Sequence, residues 1–308
     1  MPRWALLALL GCACVRPQLG PPPQVEAAAL SPLGGLAAIA VVRADGLREI
    51  RLWSRWPEVP DATLPTLHRS PIDALLFSPS GALIASAGLG ELLVQRASDG
   101  VIVRAEPGAP GGEGSIAFSS DAHFVVSTWA DGARAFPLPT GEAVPIDQPS
   151  ATRVAAALDK VAVGGPQLDK TCLYDLPSGI VQGCYQTGGA RCLALEGSGR
   201  FLAAGRADGQ VALLDLRAQP PAAYAGAQLA GPVDLVDFLP GPRLVAAQRP
   251  TGTDPAYVQL VRLDRGSDEL ARHIEVRRLF ALGWRRAGLA LLGERCGEDG
   301  CRLGIFGP

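Results

Sequence analysis

The stretch "HRSPIDALLFSPSGALIASAGLGELLVQRASDG", residues 68–100, decides the fold. Ile72 to Phe77 is an apolar strand. Ser78-Pro79-Ser80-Gly81 is a turn, in which Pro sets φ and Gly takes a conformation other residues avoid. Leu83 to Ala87 is a second strand, and a Gly-containing break follows it. Leu92 to Gln95 is a third strand. Ser98-Asp99-Gly100 turns the chain again, and Val101 to Val103 begins a fourth.

The same order recurs along the chain. The first turn reappears at Ser31-Pro32-Leu33-Gly34, Ser119-Ser120-Asp121-Ala122, Leu158-Asp159-Lys160, Gly197-Ser198-Gly199, Pro240-Gly241-Pro242 and Arg285-Arg286-Ala287. The period is about 40 residues. A small or aliphatic strand follows each turn, as in "LAAIAVV", "FVVST", "VAVGG" and "FLAAG". The next turn is often Asp-Gly, at Asp45-Gly46, Asp131-Gly132, Asp208-Gly209 and Asp299-Gly300, a pair that tolerates the positive φ of tight hairpins.

This pattern resembles the WD repeat. The resemblance rests on Leu67-His68 before the first strand, Phe77-Ser78-Pro79-Ser80-Gly81 after it, and the sevenfold period over residues 25–308. Trp53-Ser54, Tyr174-Asp175, Leu214-Asp215 and Leu263-Asp264 stand where the family has Trp-Asp; no repeat has Trp-Asp itself. The resemblance implies an all-β fold, a β-propeller of seven four-stranded antiparallel blades, with a structural role for His68. The last repeat ends with its third strand at Arg302 to Phe306. Its fourth strand would have to come from the N-terminal segment, where Pro17 and Pro21 to Pro23 cannot donate ladder hydrogen bonds. A three-stranded last blade, or a count of six or eight, is the alternative.

The N-terminus is similar to a bacterial lipoprotein signal. One positive charge at Arg3 precedes the apolar run Ala5 to Leu10, and Leu9-Leu10-Gly11-Cys12 stands as a lipobox. The resemblance implies removal of residues 1–11 and acylation of Cys12, with residues 12–24 as a stiff Pro-rich tether. The run is too short to span a bilayer. Ala13, not Asp, follows Cys12. The family's sorting rule then implies the outer membrane, facing the periplasm. The rival is a cytosolic WD40-like scaffold with an apolar tail.

Composition narrows the rest. Net charge is −2, so no electrostatic case for nucleic acid exists. Charged residues make up 19% of the chain, and Lys160 and Lys170 are the only lysines. Asn is absent altogether, which removes it as a metal ligand, a catalytic group or a glycan acceptor. The 37 glycines and 27 prolines fit many short strands joined by turns.

Cys172 and Cys184 flank Pro177-Ser178-Gly179 symmetrically. A hairpin centred on Ser178 pairs 174 with 182 and 172 with 184, which predicts a disulfide. Cys296 and Cys301 bracket Gly297 to Gly300 in the same way. Two such pairs agree with an exported protein. Zinc is the rival reading, but no Cys-x-x-Cys pair occurs. Cys192 falls in a strand outside both pairs and reads as a buried thiol; Cys14 has no evident role.

Catalytic patterns are sparse. His68, His123 and His273 fall in different repeats without ligand spacing. Lys170-Thr171 has the ending of a phosphate loop, but Asp169 stands where Gly is needed. No Gly-x-Ser-x-Gly elbow occurs. No metal, cofactor or catalytic residue is therefore assigned.

One constellation remains. Aligned on Phe77, the second residue of each first strand reads Glu26, Asp73, Gly114, Arg153, Arg191, Asp234 and Arg277. In WD-type propellers this end of the inner strand rims the central channel, where partners dock. A rim of mixed sign suits a peptide or a polar protein loop, and solvated loop charge is the bland alternative. Trp129 and Arg206, in turns between second and third strands, are added as exposed binding anchors. The expectation is a monomeric, non-enzymatic envelope scaffold, tethered by lipid, that binds a protein or peptide at this rim. The rival is a ligand-binding or metal-dependent hydrolase propeller whose site joins Glu26, Asp73 and Asp234 at the channel mouth.

Overall fold

The computed structural model describes residues 24–306, apart from 33–34, 55–59, 109–111, 113–114, 219, 240–242, 252–254, 264–266, 275, 286–287 and 298–299; the side chains of 225–226, 267–273, 281–285, 288 and 295–306 are also outside the description. The lipobox with Cys12, the tether up to residue 23, Cys14 and Gly114 lie outside the described residues.

The described chain is all-β. The first sheet holds β1 (Gln24–Leu30), β2 (Ala37–Val42), β3 (Arg48–Trp53) and β4 (Ala62–Pro65). The second holds β5 (Ile72–Phe77), β6 (Leu83–Gly88), β7 (Glu91–Arg96) and β8 (Ile102–Pro107). The third holds β9 (Ile116–Phe118), β10 (Phe124–Trp129), β11 (Gly132–Pro137) and β12 (Val144–Ile146). The fourth holds β13 (Arg153–Ala157), β14 (Lys160–Gly164), β15 (Lys170–Asp175) and β16 (Val181–Gln186). The fifth holds β17 (Cys192–Leu195), β18 (Phe201–Gly205), β19 (Gln210–Asp215) and β20 (Ala222–Gln228). The sixth holds β21 (Leu235–Leu239), β22 (Arg243–Gln248), β23 (Ala256–Arg262) and β24 (Ser267–Ile274). The last has three strands among the described residues, β25 (Arg278–Arg285), β26 (Gly288–Gly297) and β27 (Gly300–Phe306). Every sheet is an antiparallel meander in chain order.

The turns carry this register. Gly46, Gly81, Gly100, Gly179 and Gly209 all take φ between 69° and 86° at the turns read from the sequence. At Gly209 a side chain would also collide with the Leu229 carbonyl oxygen, 2.2 Å from a Cβ placed there, so both conformation and space demand Gly.

Apolar burial lies between sheets. One cluster joins Ala27, Ile50 and Leu64 of the first sheet to Ile72, Leu75 and Ile84 of the second. Another joins Val94 and Leu92 to Phe118, Val125 and Phe136 of the third. The succession continues to a cluster in which Ala28, Ile39 and Trp53 of the first sheet meet Ala290 and Leu292 of the last. The second strands are rich in Ala because each is covered on both faces; Ala38, Ala40, Ala85, Ala87, Ala162 and Ala203 are at most 1% exposed. The first strands touch in order: β1 meets β5, β5 meets β9, β9 meets β13, β13 meets β17, β17 meets β21, β21 meets β25, and β25 meets β1.

Candidate functional site

At this end of the first strands, side chains reach across five of the boundaries between sheets. Glu26 on β1 accepts from Arg48 Nε at 3.0 Å and from the backbone N–H of Ile72, at the head of β5, also at 3.0 Å. Arg153 on β13 donates from Nε to the Arg191 carbonyl, just before β17. Arg191 donates from Nη2 to Asp234, just before β21, at 2.7 Å. Asp234 also accepts from the backbone N–H of Arg249 at 2.9 Å. Arg249 donates from Nε to the Leu279 carbonyl of β25 at 3.1 Å. Arg278 on β25 donates to the Val25 carbonyl of β1 at 3.3 Å. The charged residues at this end therefore stitch adjoining sheets together.

They also line two hollows. The larger, about 400 Å³, is bordered by Glu26, Asp73, Arg249, Arg277 and Arg278, over a floor that includes Leu75, Ile116 and Leu279. The smaller, about 170 Å³, is bordered by Arg153, Arg191 and Asp234, and again by Arg249. All six described residues of the sequence-derived rim thus border these two adjoining hollows. Partial desolvation, and then the nearby Glu26 charge, hold the Asp73 carboxyl above its ordinary range, against a backbone bond from Gly112 that lowers it.

Arg249 and Arg278 were missed by the sequence reading. Arg249 follows the second strand of its sheet rather than preceding the first, and only the tertiary arrangement brings it to the rim. Arg278 is next to Arg277, and the doubled arginine was the available signal.

Two further candidates change role. Trp129 is not an exposed anchor. It is 9% exposed and packs with Val125 and Phe136 in the second intersheet cluster, with the Arg134 guanidinium 4.3 Å from its ring. The short Asp131-Gly132 hairpin folds Arg134 back over the indole, which covers it. Arg206 is partly exposed and bonds its own turn, donating to Asp208 at 2.7 Å and Gln210 at 3.3 Å.

Cys172 and Cys184 form a disulfide between directly opposed residues of β15 and β16. The hairpin differs in one detail: a bulge between Leu173 and Tyr174 pairs Tyr174 with Val181, not with residue 182. Cys296 and Cys301 are opposed in the backbone ladder, and their side chains lie outside the described residues. Cys192 is half-buried, not fully buried, with its sulfur 3.5 Å from the Val233 carbonyl oxygen.

His68 Nε2 lies 2.9 Å from Ser86 Oγ, and Nδ1 lies 3.4 Å from Glu91. In an open cleft this order of groups would activate a serine. Here Ser86 is 1% exposed and His68 5%, so both lie inside the sheet packing rather than in an open cleft. The trio ties the chain before β5 to β6 and β7.

A scan against protein-family models finds no match, and a search of curated proteins finds no significant relative.

Proposed function

We propose that this chain is a seven-bladed β-propeller that acts as a non-enzymatic scaffold, binding a protein or peptide segment at the rim bordered by Glu26, Asp73, Arg153, Arg191, Asp234 and Arg277. The seven sheets are its blades, and the first strands line its axis. The stepwise contacts of those strands, with β25 against β1, support this reading. The apolar cluster between the last and first sheets supports it as well. The scaffold is anchored through Cys12 to the outer membrane and faces the periplasm; the Leu9-Leu10-Gly11-Cys12 pattern supports this address.

The observation that carries the docking site is the shared border at Arg249. It joins the two hollows into one polar surface with apolar patches beneath. Such a surface suits a loop or peptide whose polar groups meet arginine and carboxylate in alternation. The hydrolase reading requires Glu26, Asp73 and Asp234 to converge. Glu26 and Asp234 border different hollows, and each carboxylate already accepts from an arginine and a backbone N–H.

The test is site-specific photo-crosslinking in the envelope of an expressing didermic bacterium. The crosslinker replaces Arg277 in one variant and Leu158, at the opposite end of a first strand, in another. A discrete adduct from position 277 and none from 158 is expected. Identical adducts from both positions, or none from 277, would remove the rim as the docking surface.

A further inference from the structure

Three leucines at the rim end of the first two sheets stand in water. Leu47 is 61% exposed, Leu67 58% and Leu89 69%. The strand register places all three at one end. Gln24 opposes Val42, Val42 opposes Arg48 and Glu49 opposes Pro65 in the first sheet, and Ile72 opposes Gly88 in the second. Leu47 directly precedes Arg48, Leu67 follows Pro65 by two residues, and Leu89 directly follows Gly88. Side-chain bonds hold these turns together. Thr66 Oγ1 donates to the Arg48 carbonyl at 3.4 Å, Arg48 Nη1 to the Arg69 carbonyl at 3.1 Å, and Ser70 Oγ to the Leu89 carbonyl at 2.5 Å. The other strongly exposed large apolar side chains among the described residues, Val101, Ile102, Leu158, Ile180, Val181 and Tyr224, lie at the opposite end of their sheets or on an outer strand.

Clustered exposed leucines mark a contact with protein or with lipid. Their setting here favours lipid. They tip turns rather than line a hollow, and none of them borders either rim hollow. Protruding apolar side chains sink into a fluid boundary layer, whereas a protein partner needs a fitted pocket for each anchor. Arg69, two residues from Leu67, is exposed and makes no ion pair among the described residues. A guanidinium beside leucines suits an anionic headgroup.

The course of the chain agrees. β1 begins at Gln24, which opposes Val42 at the foot of the turn that carries Leu47, so residues 1–23 join the fold at the leucine end. From Cys12 to Gln24 the backbone reaches at most about 40 Å. A tether of that length holds the fold beside its anchor at an effective concentration on the order of millimolar. A contact too weak to bind a membrane from solution is then populated, and it sets which way the anchored fold faces.

We propose that Leu47, Leu67 and Leu89 rest on the bilayer to which the chain is tethered, with the leucines at the acyl boundary and Arg69 among anionic headgroups. The inference rests on the anchored reading given above, and it makes the rim end the membrane-facing end.

The test keeps the tether and replaces the lipid. A chain with a hexahistidine tag in place of residues 1–12 is held on phosphatidylethanolamine–phosphatidylglycerol vesicles that contain a nickel-chelating lipid. Amide hydrogen exchange is compared with the same chain in solution. Exchange is expected to slow about fivefold in residues 43–47, 66–70 and 88–90. The opposite turns, residues 98–101 and 177–180, are expected not to change. Leu47→Gln, Leu67→Gln and Leu89→Gln combined should abolish the protection with the circular dichroism spectrum unchanged, and Ile180→Gln should keep it. Arg69→Glu should weaken it on these vesicles and not on phosphatidylcholine vesicles. No protection on the vesicles, equal protection at both ends, or protection that survives the triple substitution overturns the proposal. A dimer in sedimentation that the triple substitution abolishes also overturns it, because the leucines then cover one another. The nickel tether does not depend on Cys12, so the vesicle result judges the leucine face, and palmitate labelling in cells judges the anchor.

Discussion

Arg191 reaches from the head of β17 to the Asp234 carboxylate at the head of β21, 2.7 Å away, and so joins two sheets by a side-chain pair. The two ends of this pair are unequal. The Arg191 side chain is 41% exposed, so the pair is well solvated on that side. Asp234 is more buried and also holds the Arg249 N–H. Arg191→Ala is expected to cost at most about 1 kcal/mol. Asp234→Ala is expected to cost about 2 kcal/mol, because it leaves the Arg249 N–H without its acceptor as well as removing the Arg191 pair. Urea unfolding of both variants and the double mutant checks this; equal single losses would show that Arg249 does not depend on Asp234.

His68 predicts a pH dependence. Burial comes first among the causes that lower its pKa to about 4; the Ser86 bond opposes the shift and Arg48 adds to it. Glu91 at 3.4 Å from Nδ1 would favour the proton, but neither atom has a hydrogen-bond partner, so burial dominates. The unfolded chain takes up a proton near pH 6.5 and the folded one does not until about pH 4. The contribution is therefore complete above pH 6.5 and is lost as pH falls toward 4, by about 3 kcal/mol over that window. Stability measured across this range should decline less steeply in His68→Gln. Parallel profiles for the two proteins would assign the decline to other groups.

The disulfide predicts a redox dependence of stability. Cys184→Ser should lower unfolding free energy by about 3 kcal/mol under oxidising conditions, from the loop it closes. Under strong reductant the wild type should lose most of that advantage. Thermal unfolding of both proteins with and without dithiothreitol checks this. Retention of the full difference in reductant would mean that Cys184 contributes through packing instead.

The proposed address predicts acylation. Wild type expressed in a didermic bacterium should incorporate labelled palmitate and sediment with outer membranes. Cys12→Ala should be unlabelled and released. A soluble, unlabelled wild type would return the chain to the cytosolic reading.

The local part of the fold was legible because turns and strands are written in short spacings. Residues 72–77 are β5 end to end, and the later strands of that sheet fall within a residue or two of their expected bounds. The symmetry about Ser178 placed Cys172 against Cys184 even though a bulge altered the pairing of Tyr174. The placement of Glu26, Asp73, Arg153, Arg191, Asp234 and Arg277 at or just before the heads of their strands was legible for the same reason, since each stands at a fixed offset from a first turn. What those side chains touch was not legible. Glu26 meets Ile72 from 46 positions away, and Arg249 meets Leu279 from 30. Such partners depend on how one sheet sits against the next. Trp129 failed similarly, because its turn position is local but its cover, Phe136 and Arg134, comes from the returning strand.

The Cys172–Cys184 link spans only 12 positions of the chain, within one hairpin. It needs β15 and β16 and no other sheet. Its formation is therefore separable from assembly of the remaining sheets. The hairpin can be oxidised before the three sheets that follow it in the chain have assembled. Found in protein whose thiols were blocked before lysis, the link would show that the hairpin had met an oxidising environment, even in a variant that never completes the fold.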